Sequence, residues 1–298
     1  MRSITSVLFS VLPLLLGTLC AAAQERALEE EAATTKRIAL LIGNGSYDQK
    51  PPAPEFKELR LLNNPCRDVE AVAALLEASG WNPDTEIILR CDVPRKDVKD
   101  AVDNFKDVYL SSDRSFGFIY YAGHGIQVGK ETYLFGTDSW LDLQRATELA
   151  DDRVPGSIFR GGVRLYADII SQVGDAGTGS IFIVIDACRE TPIDQILKQK
   201  GITVAGGAYP KPVVGVKLLF STAFGELSSD GLTSGSPFSI AFVEHLEQVG
   251  NVDLLVSHVV QTVSTSTATS SIPQVPDTTG SLNPPPPNGC LTKCGDQP

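Results

Sequence analysis

Between Gly179-Ser180 and Arg189-Glu190 the chain runs Ile181-Phe182-Ile183-Val184-Ile185 and then Asp186-Ala187-Cys188. A short apolar run rich in β-branched residues, bounded by a Gly-Ser turn and a charged segment, reads as a strand buried on both faces, the kind found in parallel sheets. In open α/β sheets ligands bind beyond the carboxyl ends of the strands, so an acid and a thiol at this end stand where chemistry is done. Each also has a plainer reading. Cysteine is among the most buried residue types, and aspartate is a common helix cap.

A second stretch has the same build. Ser115 to Tyr121 (SFGFIYY) is apolar and runs straight into Ala122-Gly123-His124-Gly125. His124 is one of three histidines, and its flanking glycines leave the imidazole uncrowded and let backbone N–H groups approach a ligand. If the two strands are neighbours, about 4.8 Å apart, His124 and Cys188 leave the sheet at one edge and can face each other across a cleft. A cysteine with a histidine remote in sequence but adjacent in space is the nucleophile and base of a cysteine hydrolase.

LLIGN at 40–44, YYAGHG at 120–125 and IDACR at 185–189, in that order, resemble the caspase-like domain of caspases, metacaspases and paracaspases, and the paracaspase type most. The resemblance covers roughly residues 36–248. It implies an α/β fold, a caspase-like, doubly wound and mostly parallel sheet with helices on both faces. It also implies a cysteine endopeptidase in which Cys188 attacks, His124 carries the proton, and the backbone N–H groups of Gly125 and Cys188 meet the oxyanion.

Family members that cut after basic residues carry acids in the pocket for the residue preceding the scissile bond. Position by position, the resemblance implies that Asp68, Asp186 and Asp230 fill that role here, with Glu226 a rival to Asp230. Each has a plainer reading: a charge at a helix start for Asp68, a strand-end cap for Asp186, a turn residue before Gly231 for Asp230. The expected partners are protein or peptide substrates with Arg or Lys before the scissile bond, with a homodimer also open. Arg189-Glu190-Thr191 stand where metacaspases have His-Ser-Gly, so calcium dependence does not carry over, and no metal or cofactor is expected. Two other readings stay open: an idle caspase-fold interaction module, and a hydrolase of a non-peptide amide or ester.

The first 23 residues hold Arg2, an apolar run from Val7 to Leu19 and Ala21-Ala22-Ala23. They read as a secretory signal, because the run is shorter than the roughly 20 residues that span a bilayer. The expected product is periplasmic or extracellular, with no stable membrane insertion. Arg2 is the only charged residue removed, which takes the net charge from −11 to −12 and makes nucleic acid an improbable partner. Five cysteines remain, and an odd number in an oxidising compartment suggests two bridges and a free Cys188. Cys66 with Cys91 and Cys290 with Cys294 are the candidate pairs; five unrelated thiols is the alternative.

In chain order, 24–36 reads as a charged lead-in and 37–266 as the peptidase domain. Within it, alternating strands and helices predict a parallel sheet. The expectations include a helix from Pro65 stopping at Gly80, a small hairpin over Gln127–Phe135, and an irregular acidic insertion over Ser139–Gly162. A helix over Val163–Val173, a linker over Glu190–Pro212 and a low-complexity Pro/Ser/Thr tail over 267–298 follow.

Overall fold

The computed structural model describes residues 35–47, 56–57, 59, 61–112, 114–128, 131–142, 159–174, 179–187, 213–223, 228–231, 235–283, 285–286 and 290–292. The signal, the lead-in before Thr35, Cys188, Cys294, Glu226 and the linker of 190–212 lie outside these residues.

The central sheet is built from β1 (Lys36–Gly43), β3 (Ile87–Cys91), β4 (Ser115–Gly123), β8 (Gly179–Ala187), β9 (Val216–Phe220) and β10 (Asp277–Gly280), in the order β10-β9-β8-β4-β1-β3. Five strands are parallel and β10 is antiparallel to β9. The two apolar runs singled out in the sequence are the adjacent central strands. Their residues are buried on both faces, as continuous apolar runs require.

Helices cover both faces. One layer of core joins β-strand residues such as Leu40, Ile119 and Ile183 to Val98, Val102 and Phe105 of α2 (Arg95–Leu110). With it packs α3, a π-helical stretch Leu165–Ile170 continued by Ser171–Gly174. The opposite layer packs Leu41, Phe118 and Phe182 against α1 (Pro65–Ala78), α4 (Pro237–Gln248) and α5 (Val252–Thr267). Helix α1 begins at Pro65, where the missing N–H costs nothing, and the chain leaves it through Gly80 at φ +90°.

A second sheet stands beside the first: β2 (Phe56–Lys57), β5 (Gly125–Val128), β6 (Glu131–Asp142) and β7 (Phe159–Arg164), all antiparallel. The hairpin expected next to His124 is β5–β6. Two boundaries differ from expectation. Ser139 to Asp142 continue β6, and Phe159 to Gly162 begin β7, so the expected insertion is paired at both ends. Val163 and Arg164, expected to open a helix, pair instead with Leu134 and Tyr133. Ladder partners outweigh helical propensity here, as tertiary context commonly does.

The described residues of the stretch read as a tail beyond residue 266 pack onto the domain. They supply β10, bury Gln274 and Leu291, and receive a hydrogen bond from Trp81 Nε1 on the Leu291 carbonyl at 3.0 Å. β10 reads Asp-Thr-Thr-Gly and is partly exposed along its length, so it carries no apolar alternation by which to recognise it.

Cys66, near the start of α1, and Cys91, the last residue of β3, form a disulfide. Cys290 is also disulfide-bonded, to a cysteine outside the described residues. Glu70 lies beside the first bridge, but with both sulfurs bonded to each other there is no thiolate to hold a metal. Closing a loop across 25 residues restricts the unfolded chain by about 3.5 kcal/mol. The double substitution Cys66→Ser, Cys91→Ser is therefore expected to lower the melting temperature by on the order of 10 °C. A calorimetric melt unchanged within a degree or two would show that the bridge adds no stability.

Candidate active site

The parallel register of β4 and β8 pairs Tyr121 with Ile185, Ala122 with Asp186 and Gly123 with Ala187. His124 follows the last residue of one strand and Cys188 follows the last residue of the other. Described in full are His124 and Gly125; Cys188 lies just past the described end of β8.

His124 sits in a frame of tyrosines and one asparagine. Its amide donates to Tyr47 Oη at 3.1 Å, and the Tyr47 ring lies 4.7 Å from the imidazole, centroid to centroid. Tyr121 Oη accepts from the Phe135 amide at 3.0 Å and stands 2.7 Å from the His124 carbonyl and 2.8 Å from that of Phe135, able to donate to either. Asn44, wholly buried, donates from Nδ2 to the Phe135 carbonyl and accepts from the Val93 amide, tying β1 to β6. Gly123 turns the chain at φ +153°, where a Cβ would lie 2.8 Å from Tyr121 Oη and 2.9 Å from Tyr47 Oη. Only glycine fits there, so the residue before the histidine is dictated by the tyrosines that hold it. Gly125 begins β5 opposite Leu134.

The three acids come together. Asp68 from the first turn of α1, Asp186 from the end of β8 and Asp230 from the loop after β9 line one small, open cleft, with Gly123, Ala187 and Ser236 among its other walls. The Asp186 carboxylate receives Ser236 Oγ at 2.5 Å and Ser228 Oγ at 3.3 Å. Asp230 accepts from the Asn63 amide through Oδ2, and its carbonyl accepts from Asn64 Nδ2. Gly235, at φ +134°, passes so close to Asp68 that a Cβ would be 2.9 Å from its Oδ1.

Burial raises the Asp68 carboxyl to about 7; the charges of Asp186 and Asp230 push the same way, while hydrogen bonds from Ser239 and the Ser236 amide oppose them. Burial also raises Asp186, to about 6, against hydrogen bonds from Ser236, Ser221 and Ser228. Carboxyls clustered and sheltered from water hold their protons to higher pH than exposed ones do.

The sequence profile described as the caspase domain matches residues 36–282. The chain belongs to the caspase-domain family. The family is one of cysteine-type peptidases, and its sheet with helices on both faces is the fold described above. The caspase domain is also similar in fold to the crystal structure of Caspase-1 from Spodoptera frugiperda. Their TM-score is 0.55 at 18% identity, over 84% of this chain and 88% of that one. No curated protein sequence matches the chain.

Several residues of this caspase domain that shape the cleft escaped the sequence reading. Tyr121 lies inside YYAGHG, but nothing in the motif says that its hydroxyl turns back to the strand end. Ser236 did carry a signal. It precedes Pro237 and caps α4, accepting from the Ser239 amide at 2.8 Å, while the same hydroxyl donates to Asp186. Its second role depends on where β8 ends, which only the packed domain defines. Tyr47, Ser221, Ser228 and Gln274 carried no local signal.

Proposed function

We propose that this caspase domain is an exported, paracaspase-like cysteine endopeptidase that cuts peptide bonds after Arg or Lys. Cys188 is the nucleophile. His124 takes its proton and later delivers it to the leaving amine. The amides of Gly125 and Cys188 stabilise the oxyanion. Asp68, Asp186 and Asp230 receive the substrate cation. The observation that carries this reading is three carboxylates from three separate elements lining one cleft whose walls include Gly123 and Ala187, the residues before the proposed pair. Export is supported by the apolar N-terminal run and by disulfide bonding at Cys66, Cys91 and Cys290.

The carboxyls bear on pH dependence. Both Asp68 and Asp186 have raised folded-state pKa values, so their contribution to stability is present in acid, below about 4. It is lost as pH rises through about 6 to 7, where the buried pair must ionise. A bound guanidinium or ammonium reverses that cost by supplying the opposite charge. The expected result is that kcat/KM for an Arg peptide, divided by that for its norleucine analogue, climbs as pH is raised from about 5 to 8. Any titration of the proposed His124 and Cys188 pair is common to both substrates and cancels in the ratio. A flat ratio, or cleavage after Asp as fast as after Arg, would count against a pocket built of carboxylates.

A further inference from the structure

The segment that follows α5 reaches, through Gln274, a residue that lines the acid cleft, Ser228. Gln274, only 1% exposed, is held by its backbone amide, which donates to Thr267 Oγ1 at 2.8 Å; that hydroxyl stands 2.8 Å from the Val263 carbonyl and 3.2 Å from the Gln274 carbonyl, able to donate to either. Its side-chain nitrogen stands 3.4 Å from the Ser221 carbonyl and 3.0 Å from Ser228 Oγ. A backbone carbonyl can only accept, which settles that the nitrogen of the amide faces this way. Ser228 Oγ also lies 3.1 Å from Ser221 Oγ, and its own proton is directed to Asp186 Oδ1. Donors therefore run in one direction, from Gln274 through Ser228 to the carboxylate. In a site shielded from water such chains polarise one another and strengthen the last bond.

The geometry points to Gln274 as a positioning residue for substrate selection, aligning the Ser228 hydroxyl on Asp186 so that this carboxylate meets the cationic side chain of a substrate. The inference rests on the acid-pocket reading above. It gives a residue from the region taken for a tail a part in specificity, although Gln274 lies outside the set of cleft-lining residues. Among the described residues, Asp68 on α1 and Asp230 in the loop after β9 face Asp186 and disfavour a further negative charge, while Tyr120 on β4, kept neutral by burial, adds none. The serine donors oppose them, so weakening one donor makes Asp186 hold its proton to a higher pH.

The test uses the full chain and Gln274→Met, in which length and bulk are kept and the donor is lost. Gln274 Oε1 has no partner among the described residues. Ser228→Ala, which breaks the same chain one link further on, serves as an independent second variant. Binding of product peptides ending in Arg or in norleucine is measured by calorimetric titration from pH 5.5 to 8. For Gln274→Met the expected result is about fivefold weaker binding of the Arg peptide near pH 6.5, the loss of one hydrogen bond between neutral groups. The norleucine peptide should change less than twofold, and the pH midpoint for the Arg peptide should move upward, with Ser228→Ala shifting both in the same sense. Equal weakening of both peptides, or an Arg peptide bound as in the unsubstituted chain with an unmoved midpoint, overturns the role of Gln274. Asp186→Asn separates the two levels. If it abolishes the preference for Arg while Gln274→Met is silent, only this inference fails; if the preference survives it, or is absent from the unsubstituted chain, the pocket reading fails and this inference with it.

Discussion

Cys188→Ala is expected to lower turnover of an Arg-ended peptide by roughly 10⁴-fold or more, and His124→Ala to lower it comparably. In the proposed mechanism the two side chains act in one proton transfer, so loss of either leaves the other without a partner. The double substitution should then cost little more than the worse single one. Neither change should unfold the domain. His124 is only partly buried, and the frame that holds its backbone uses the amide and carbonyl, which alanine retains. The measurement is kcat/KM together with the melting temperature for each variant. A Cys188→Ala protein with near-normal activity and an unchanged melt would assign the chemistry to another group altogether.

Asp186→Asn is expected to reduce the Arg-over-norleucine preference by at least an order of magnitude. A cation 4 Å from a carboxylate gains about 1 kcal/mol in bulk water and about 4 kcal/mol at an effective dielectric of 20. Desolvating the substrate cation takes back part of that gain. What remains is still worth a factor of ten or more, because every 1.4 kcal/mol is tenfold. A peptide ending in Asp meets the opposite sign and should be cut slowest by the unsubstituted protein. Norleucine is the control that matters, since it keeps lysine's four-carbon chain and lacks the ammonium group. An apolar pocket would handle both about equally. If Asp186→Asn keeps the Arg preference, selection resides elsewhere.

The two central strands were legible because their signal is local. A run such as Ile181 to Ile185 can satisfy its side chains only with cover on both faces, and that demand survives without knowledge of any partner. The helix starting at Pro65 was equally plain, from the proline, the early acid Asp68 and the glycine beyond its end. Boundaries were less secure where a competing partner decided them. Val163 and Arg164 are strand because β6 runs alongside, and the helix after them starts two residues later than its apolar spacing suggests. β10 was invisible because four polar residues at a sheet edge bury too little to leave a pattern.

The candidate site divides in the same way. His124 and Cys188 were marked by residue type, by their glycine or acid neighbours and by their places at strand ends, and Asp68, Asp186 and Asp230 by resemblance. The sequence by itself determined a parallel sheet, a histidine and a cysteine directly after its two central strands and a supply of acids. Only the tertiary structure decided that the three acids share one cleft, that Tyr47, 77 positions before His124 in the chain, accepts from its amide, and that Gln274 reaches Ser228 across 46 positions. Side-chain hydrogen bonds of that kind depend on where separate elements come to rest, and no periodicity encodes them. A strand or a helix is a solution to the chain's own backbone; a pocket is a relation between elements and exists only once they have packed.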